Sequence, residues 1–276
     1  MTDQPRVELS DGAAIPQLGL GVWQTPNDEA ASVVGAALKT GYRHIDTAAA
    51  YQNEKGVGEG LLASGLARDE VFITTKVWND HQGYDSALRA IEASLKRLQL
   101  EQIDLCLIHW PAPNRGLYLD TWRALIKAQE MGQVRSIGVS NFEVEHLDRI
   151  ISETGVTPVL NQIELHPRFQ QTALRTAHAE RGIKTESWSP LGQGQLLSDP
   201  AIAALAAKHG RTAAQVIIRW HLDSGLIVIP KSVTPSRIAE NFDVFGFKLD
   251  AEDLAAIAAL HQADGRIGPN PTTATF

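Results

Sequence analysis

The chain has 276 residues, 43% apolar and 21% charged, which excludes disordered, collagenous and coiled-coil architectures and provides for a sizeable core. Its 25 basic and 32 acidic side chains leave a formal charge of −7, so no general attraction draws it to nucleic acid or to an anionic membrane surface. A single cysteine, Cys106, excludes an internal disulfide and a multi-cysteine zinc site. With no signal-type apolar core at the N-terminus and no long apolar run, the expectation is a cytoplasmic protein without a membrane or nucleic-acid partner.

Along the chain, residues 7–9 and 14–15 flank the turn pair Asp11-Gly12 and predict a short hairpin ahead of the main fold, plugging its bottom. Strand-length apolar runs then recur at 18–22, 43–45, 71–75, 103–108, 134–139, 159–163, 183–186 and 226–229. Several are apolar on consecutive positions, as parallel strands covered on both faces require. Helical patterns alternate with them. The clearest spans residues 84–98, where Leu88, Ile91, Leu95 and Leu98 form one stripe; another runs from Asn27 to a stop at Gly41. Two patterns, 200–209 and 212–222, fall between the seventh and eighth strands, and a further one covers 235–241. Eight such units predict an α/β fold, a (β/α)8 TIM barrel formed as one domain over residues 1–276, with an inserted helix between strands 7 and 8.

Function in such a barrel is built at the C-terminal strand ends. There the chain places Asp46, Lys76 and His109 after neighbouring strands two, three and four, with Tyr51 close behind Asp46. A free phenol has a pKa of about 10 and donates poorly at neutral pH, so a neighbouring ammonium, Lys76, is expected to strengthen Tyr51 as an acid. Asp46 would pair with that ammonium, and His109 would orient a substrate oxygen. At the eighth strand Lys231, Ser232 and Arg237 collect near a helix start, a pattern suited to phosphate. Asn141 and Gln162 carry donor and acceptor groups for a carboxamide, and Trp188 a flat face for a heteroaromatic ring. Trp23, Trp78 and Trp110, with His109, are candidate walls of a substrate pocket.

The segments GYRHIDTAAAYQNEKGVG, VFITTKVWN, IDLCLIHWP, GVSNF, NQIELHP, SWSPLGQG and IPKSVTPSRIAEN, in this order, resemble the motif series of the aldo-keto reductase superfamily. The resemblance implies NADPH-dependent reduction of aldehydes and ketones by a tetrad of Asp46, Tyr51, Lys76 and His109, with Tyr51 as general acid. It also implies Ser140, Asn141 and Gln162 at the nicotinamide, Trp188 stacked on its ring, and Ser189 and Leu191 near the pyrophosphate. Lys231, Ser232, Val233 and Arg237 would take the 2′-phosphate, and Glu240 and Asn241 the adenine. Trp188 followed by SPLGQG is similar to the bacterial 2,5-diketo-gluconate reductase-like branch, and the tail, residues 265–276, is shorter than the substrate-covering loops of mammalian members. The implied partner is a small carbonyl compound as substrate; a monomer is the default expectation for the chain.

Other readings stand beside this one. Lys76 could form a Schiff base in an aldolase, or the chain could be a non-catalytic NADPH-binding scaffold or regulatory subunit. Glu164 and His166 hint at a metal, but no second cluster with ligand spacing accompanies them, so no metal is expected. The GVGEGL segment has the wrong spacing for a dinucleotide-binding glycine turn.

Overall fold

The computed structural model describes residues 4–276. Strands β1 (Arg6–Glu8) and β2 (Ala14–Pro16) pair antiparallel, with Val7 opposite Ile15. Gly12 turns the chain at φ +83°, where a side chain would be strained, and Asp11 accepts from the Ala13 amide at 3.0 Å. Leu9, Ala13 and Ile15 pack with Phe72, Leu105, Leu107 and Leu160 in one apolar cluster, so the hairpin closes the barrel bottom as expected.

Eight parallel strands form one sheet: β3 (Leu20–Gly21), β4 (His44–Asp46), β5 (Phe72–Val77), β6 (Ile103–Ile108), β7 (Val134–Ser140), β8 (Leu160–Glu164), β9 (Lys184–Trp188) and β10 (Ile227–Val228). Each pairs with its neighbour in the chain, and β10 returns to β3. There the Gly19 amide donates to Val228 O at 2.8 Å and the Gly21 amide to Pro230 O at 3.2 Å. The barrel therefore closes, although both seam strands are shorter than residues 18–22 and 226–229 predict. Pro230 has no N–H to continue a ladder, so the seam is held by isolated bridges, Leu18 to Val228 and Gly21 to Lys231.

Helices α1 (Asn27–Thr40), α2 (Glu54–Ser64), α3 (Tyr84–Leu98), α4 (Tyr118–Glu130), α5 (Val144–Thr154) and α6 (Thr172–Glu180) come after β3 to β8 in turn. Two helices, α7 (Pro200–His209) and α8 (Ala213–Asp223), separate β9 from β10, which is the expected insertion. Thr212 starts α8 as a capping box, its hydroxyl accepting from the Gln215 amide while Gln215 Oε1 accepts from the Thr212 amide. Then come α9 (Pro235–Phe242) and α10 (Ala251–Ala258).

Strand alternation sets the layers of the interior. On β5, Phe72, Thr74 and Lys76 share a face: Phe72 joins the bottom apolar cluster, Thr74 bonds His44, and Lys76 reaches the top. The glycines of GVGEGL serve helix packing. A Cβ on Gly56 would lie 2.3 Å from Asn27 O, one on Gly58 2.3 Å from Leu98 O, and one on Gly60 2.7 Å from Ala31 O. Their absence lets α2 approach α1 and the end of α3 at backbone distance, which holds the loop carrying Tyr51 close to the barrel. Gly58→Ala, despite the helix-favouring nature of alanine, is expected to lower unfolding free energy by about 1–3 kcal/mol in urea titrations, because the obstacle is backbone.

Candidate active site

Asp46 is the last residue of β4, Lys76 lies near the end of β5, and His109 comes directly after β6, its amide donating to Val77 O at 3.1 Å. Parallel register brings the three side by side above the apolar floor. Lys76 Nζ donates to Asp46 Oδ1 at 2.6 Å and to Thr47 O at 2.8 Å, and all three groups are buried. Tyr51 sits in the single turn Ala49–Tyr51 that leaves β4, with Lys76 Nζ 5.1 Å from its ring centroid and the His109 ring 5.6 Å away, edge to face. The four side chains singled out by the strand-end reading thus meet in one place.

Asn53, which the sequence reading passed over, holds the Tyr51 turn. Its amide nitrogen donates to Val22 O and to Thr25 O, both at 2.9 Å, and its Oδ1 accepts from the Thr47 hydroxyl at 2.7 Å. A buried Asn satisfied on both sides fixes the turn against the β3 loop. The only signal in the sequence is an asparagine placed just before a helix start.

Burial pushes the Tyr51 phenol above its ordinary pKa, and the opposing pull of the Lys76 ammonium does not outweigh it. Tyr51 is therefore protonated at neutral pH, with Lys76 acting on it in the expected direction. Burial also raises the Asp46 carboxyl, with Lys76 and Gln162 opposing. Burial works against the Lys76 ammonium, yet its pKa rises, with Asp46 foremost in holding the proton on Nζ. Burial, helped by Lys76, lowers His109 well below the usual imidazole range, which leaves the ring neutral.

Asp46, Tyr51 and His109 floor a cleft of about 880 Å³, with Lys76 buried behind them. Trp23, Trp78, Trp110, Trp188 and Phe276 line it, with Ser140, Asn141, Gln162, Ser189 and Lys231. Trp23 is 43% exposed at the rim, whereas Trp78 meets His109 edge to face at 5.0 Å. Asn141 takes φ +63° and Ser189 φ +47°, unusual backbone that aims both at the cleft. Asn141 Nδ2 donates to His109 O at 3.0 Å and to Ser140 Oγ at 3.1 Å, while its Oδ1 accepts from the Trp188 indole N–H at 2.8 Å. Gln162 spends both amide protons on buried carboxylates, Asp46 Oδ2 and Glu186 Oε2, each at 2.7 Å.

The remaining candidates divide. Lys231 and Arg237 are exposed and make no ion pair among the described residues, beside the start of α9. Ser232 and Asn241 are buried, Val233 is exposed, and Leu191 packs partly into the core. Glu240 accepts from the Thr212 hydroxyl at 2.9 Å, so its carboxylate is already engaged with α8. Cys106 is buried in β6, and burial pushes its thiol up to about 12, leaving it inert.

Glu164 and His166 gather no third potential metal ligand among the described residues. They strap the tail instead: Glu164 accepts from His166 Nε2 at 3.1 Å, the Ile267 amide at 2.5 Å and the Gly268 amide at 2.8 Å. Those bonds hold its carboxyl below the usual range although burial alone would raise it. Short as it is, the tail reaches the cleft. Asn79 Nδ2 donates to Phe276 O at 3.0 Å, and the Phe276 ring stacks on Trp78 at 5.8 Å and meets Trp110 edge-on at 5.1 Å.

Residues 16–262 match the model of the aldo/keto reductase family. The chain belongs to that family. It is 55% identical over 272 residues to an aldo-keto reductase of Mycolicibacterium smegmatis, covering 99% of this chain and 98% of the relative. It is 54% identical over 273 residues to methylglyoxal reductase DkgA of Escherichia coli, covering 98% of each. Among solved structures, a variant of Gox0644 in complex with NADPH superposes with a TM-score of 0.96 at 58% identity, over 99% of this chain and all (100%) of that one. An aldo-keto reductase of Bombyx mori in complex with NADP gives 0.88 at 39% identity, over 95% of this chain and 94% of that one. Replacing Glu164 with Ala is expected to speed hydrogen exchange at the amides of Ile267 and Gly268 by at least about tenfold, with barrel amides unchanged, as read by mass spectrometry.

Proposed function

We propose that this chain reduces small aldehydes and ketones, dicarbonyls first among them, to alcohols with NADPH, and that Tyr51 is the proton donor. The observation that carries this reading is a protonated phenol and a neutral imidazole opening into one aromatic cleft, with a lysine ammonium buried behind the phenol. Membership of the family supports the reaction class. The relatives named methylglyoxal reductase support small dicarbonyls, and the Phe276 ring on Trp78 and Trp110 narrows the cleft against bulkier keto-sugars, diketo-sugar acids and aromatic aldehydes.

The residues present fit the dinucleotide. Lys231 and Arg237 are two cations free of internal partners among the described residues, Gln162 has only its Oε1 left to offer a carboxamide, and the Trp188 indole is held by Asn141. Ser189 and Leu191 would border the pyrophosphate, Lys231, Ser232, Val233 and Arg237 the 2′-phosphate, and Asn241 with Glu240 the adenine. When bound, NADPH supplies a hydride to the carbonyl carbon. His109, uncharged, polarises the carbonyl oxygen, and Tyr51 Oη passes its proton to that oxygen as negative charge develops. Lys76 stabilises the phenolate left behind, and Asp46 holds Lys76 in place. A Schiff base on Lys76 is disfavoured, because an ammonium secured by a carboxylate at 2.6 Å is a poor nucleophile. A cytoplasmic setting and a monomeric state complete the proposal, and the bacterial relatives support a bacterial source.

Tyr51→Phe should lower kcat/KM for methylglyoxal by about 10²–10⁴-fold in NADPH-oxidation assays while leaving NADPH affinity by calorimetry within a few-fold. Unchanged turnover would remove Tyr51 as the acid. Paired replacement of Lys231 and Arg237 by Ala should raise KM for NADPH by at least about tenfold at constant kcat, with little effect on NADH.

A further inference from the structure

Beneath the Asp46–Lys76 pair the barrel interior holds a second acid that no motif singles out. Glu186, on β9, is wholly buried, and its Oε2 accepts from the same Gln162 nitrogen that donates to Asp46. An amide nitrogen has two protons, so this arrangement consumes both and locks the Gln162 side chain with its acceptor oxygen free. The other oxygen of Glu186, Oε1, has no hydrogen-bond partner among the described residues and lies 3.7 Å from His44 Nε2.

No cation pairs directly with Glu186, and the Lys76 charge opposes its raised pKa only from a distance. His44 on β4 is neutral, because burial lowers it to about 3. Asp46, also on β4, is a second carboxylate, and Tyr51 from the turn after it is an uncharged phenol. Lys76 on β5 directs its ammonium at Asp46 and Thr47. On β8 the partner is the uncharged Gln162, and on β10 the residue in register is Ile227. Burial first, then the charge of Asp46, push the Glu186 carboxyl up to about 8.

We propose that Glu186 is a positioning residue for the reduction. Its carboxyl, carrying a proton, fixes Gln162 as an acceptor for the nicotinamide carboxamide and keeps a second negative charge away from Tyr51 and Lys76. The assignment of Gln162 rests on the function proposed above; the protonation of Glu186 does not. Loss of that proton adds a buried anion that raises the pKa of both Tyr51 and Lys76, so Tyr51 becomes a weaker acid. Reduction then slows as pH rises through about 8.

The test compares wild type with Glu186→Gln, which keeps the shape, can accept from Gln162, and cannot ionise, and with Glu186→Leu, which removes the acceptor. For methylglyoxal reduction, wild-type kcat should fall roughly threefold or more between about pH 7 and about pH 9, while E186Q stays level within about twofold. NADPH affinity by calorimetry should weaken at least about fivefold in Glu186→Leu and stay within about twofold in E186Q. Superimposable pH profiles, or equal affinities in all three proteins, overturn the proposal.

A third measurement needs neither cofactor nor turnover. A carboxyl raised on folding from its ordinary 4.5 to about 8 contributes stability that is full below the lower value and lost as pH rises through the upper one. Urea unfolding of the cofactor-free proteins should therefore show wild type losing stability relative to E186Q across that window. A constant difference refutes the protonated carboxyl. Absence of any carbonyl reduction by wild type, with this window intact, would instead refute the proposed function.

Discussion

An ammonium taken out of water at the floor of the cleft is the constraint on which the site depends. Lys76 is buried and charged only because Asp46 meets it at 2.6 Å and Thr47 O adds a second acceptor. Removing one member of such a pair typically costs about 3–5 kcal/mol, since the other is left uncompensated. The pair is thus a fixed element of the barrel wall, and Tyr51 is arranged around it: the turn is pinned by Asn53, the phenol protonated by burial, and the charge that will stabilise its conjugate base already in position. Preorganisation of this kind acts where charge develops during reaction.

The barrel explains why these groups can be polar at all. Its interior is graded, with an apolar plug at the bottom, a middle layer of His44, Thr74, Gln162 and Glu186 bonded largely to one another, and the Asp46–Lys76 pair above. Close helix packing through Gly56, Gly58 and Gly60 confines the loop between β4 and α2. One glutamine amide joins two carboxylates in that layer, while Glu186 Oε1 stays without a hydrogen-bond partner among the described residues.

Much of this was legible in the sequence. Consecutive apolar residues announced parallel strands, and the polar residue after each run marked the top of the barrel; both came from local pattern. The motif series added the family and its cofactor. What stayed hidden depended on contacts distant in sequence. Asn53 looked like an ordinary helix start, yet it clips two loops together across about thirty residues of chain. Glu164 and His166 are expected to bind no metal, but nothing in the sequence indicates that the carboxylate's partners are backbone amides at 267 and 268. Glu186 lay inside an expected strand, where only closure of the barrel reveals that it faces Asp46. The pull of Lys76 on the phenol follows from spacing, but the burial that outweighs it does not, because the extent of desolvation depends on the whole fold.

The aromatic lining has an optical consequence. Of six tryptophans in the chain, Trp23, Trp78, Trp110 and Trp188 border one cleft. Four of the six indoles therefore report on the mouth, and an occupant that absorbs in the near ultraviolet is expected to quench their emission. Entry and departure can be watched by light, without a label.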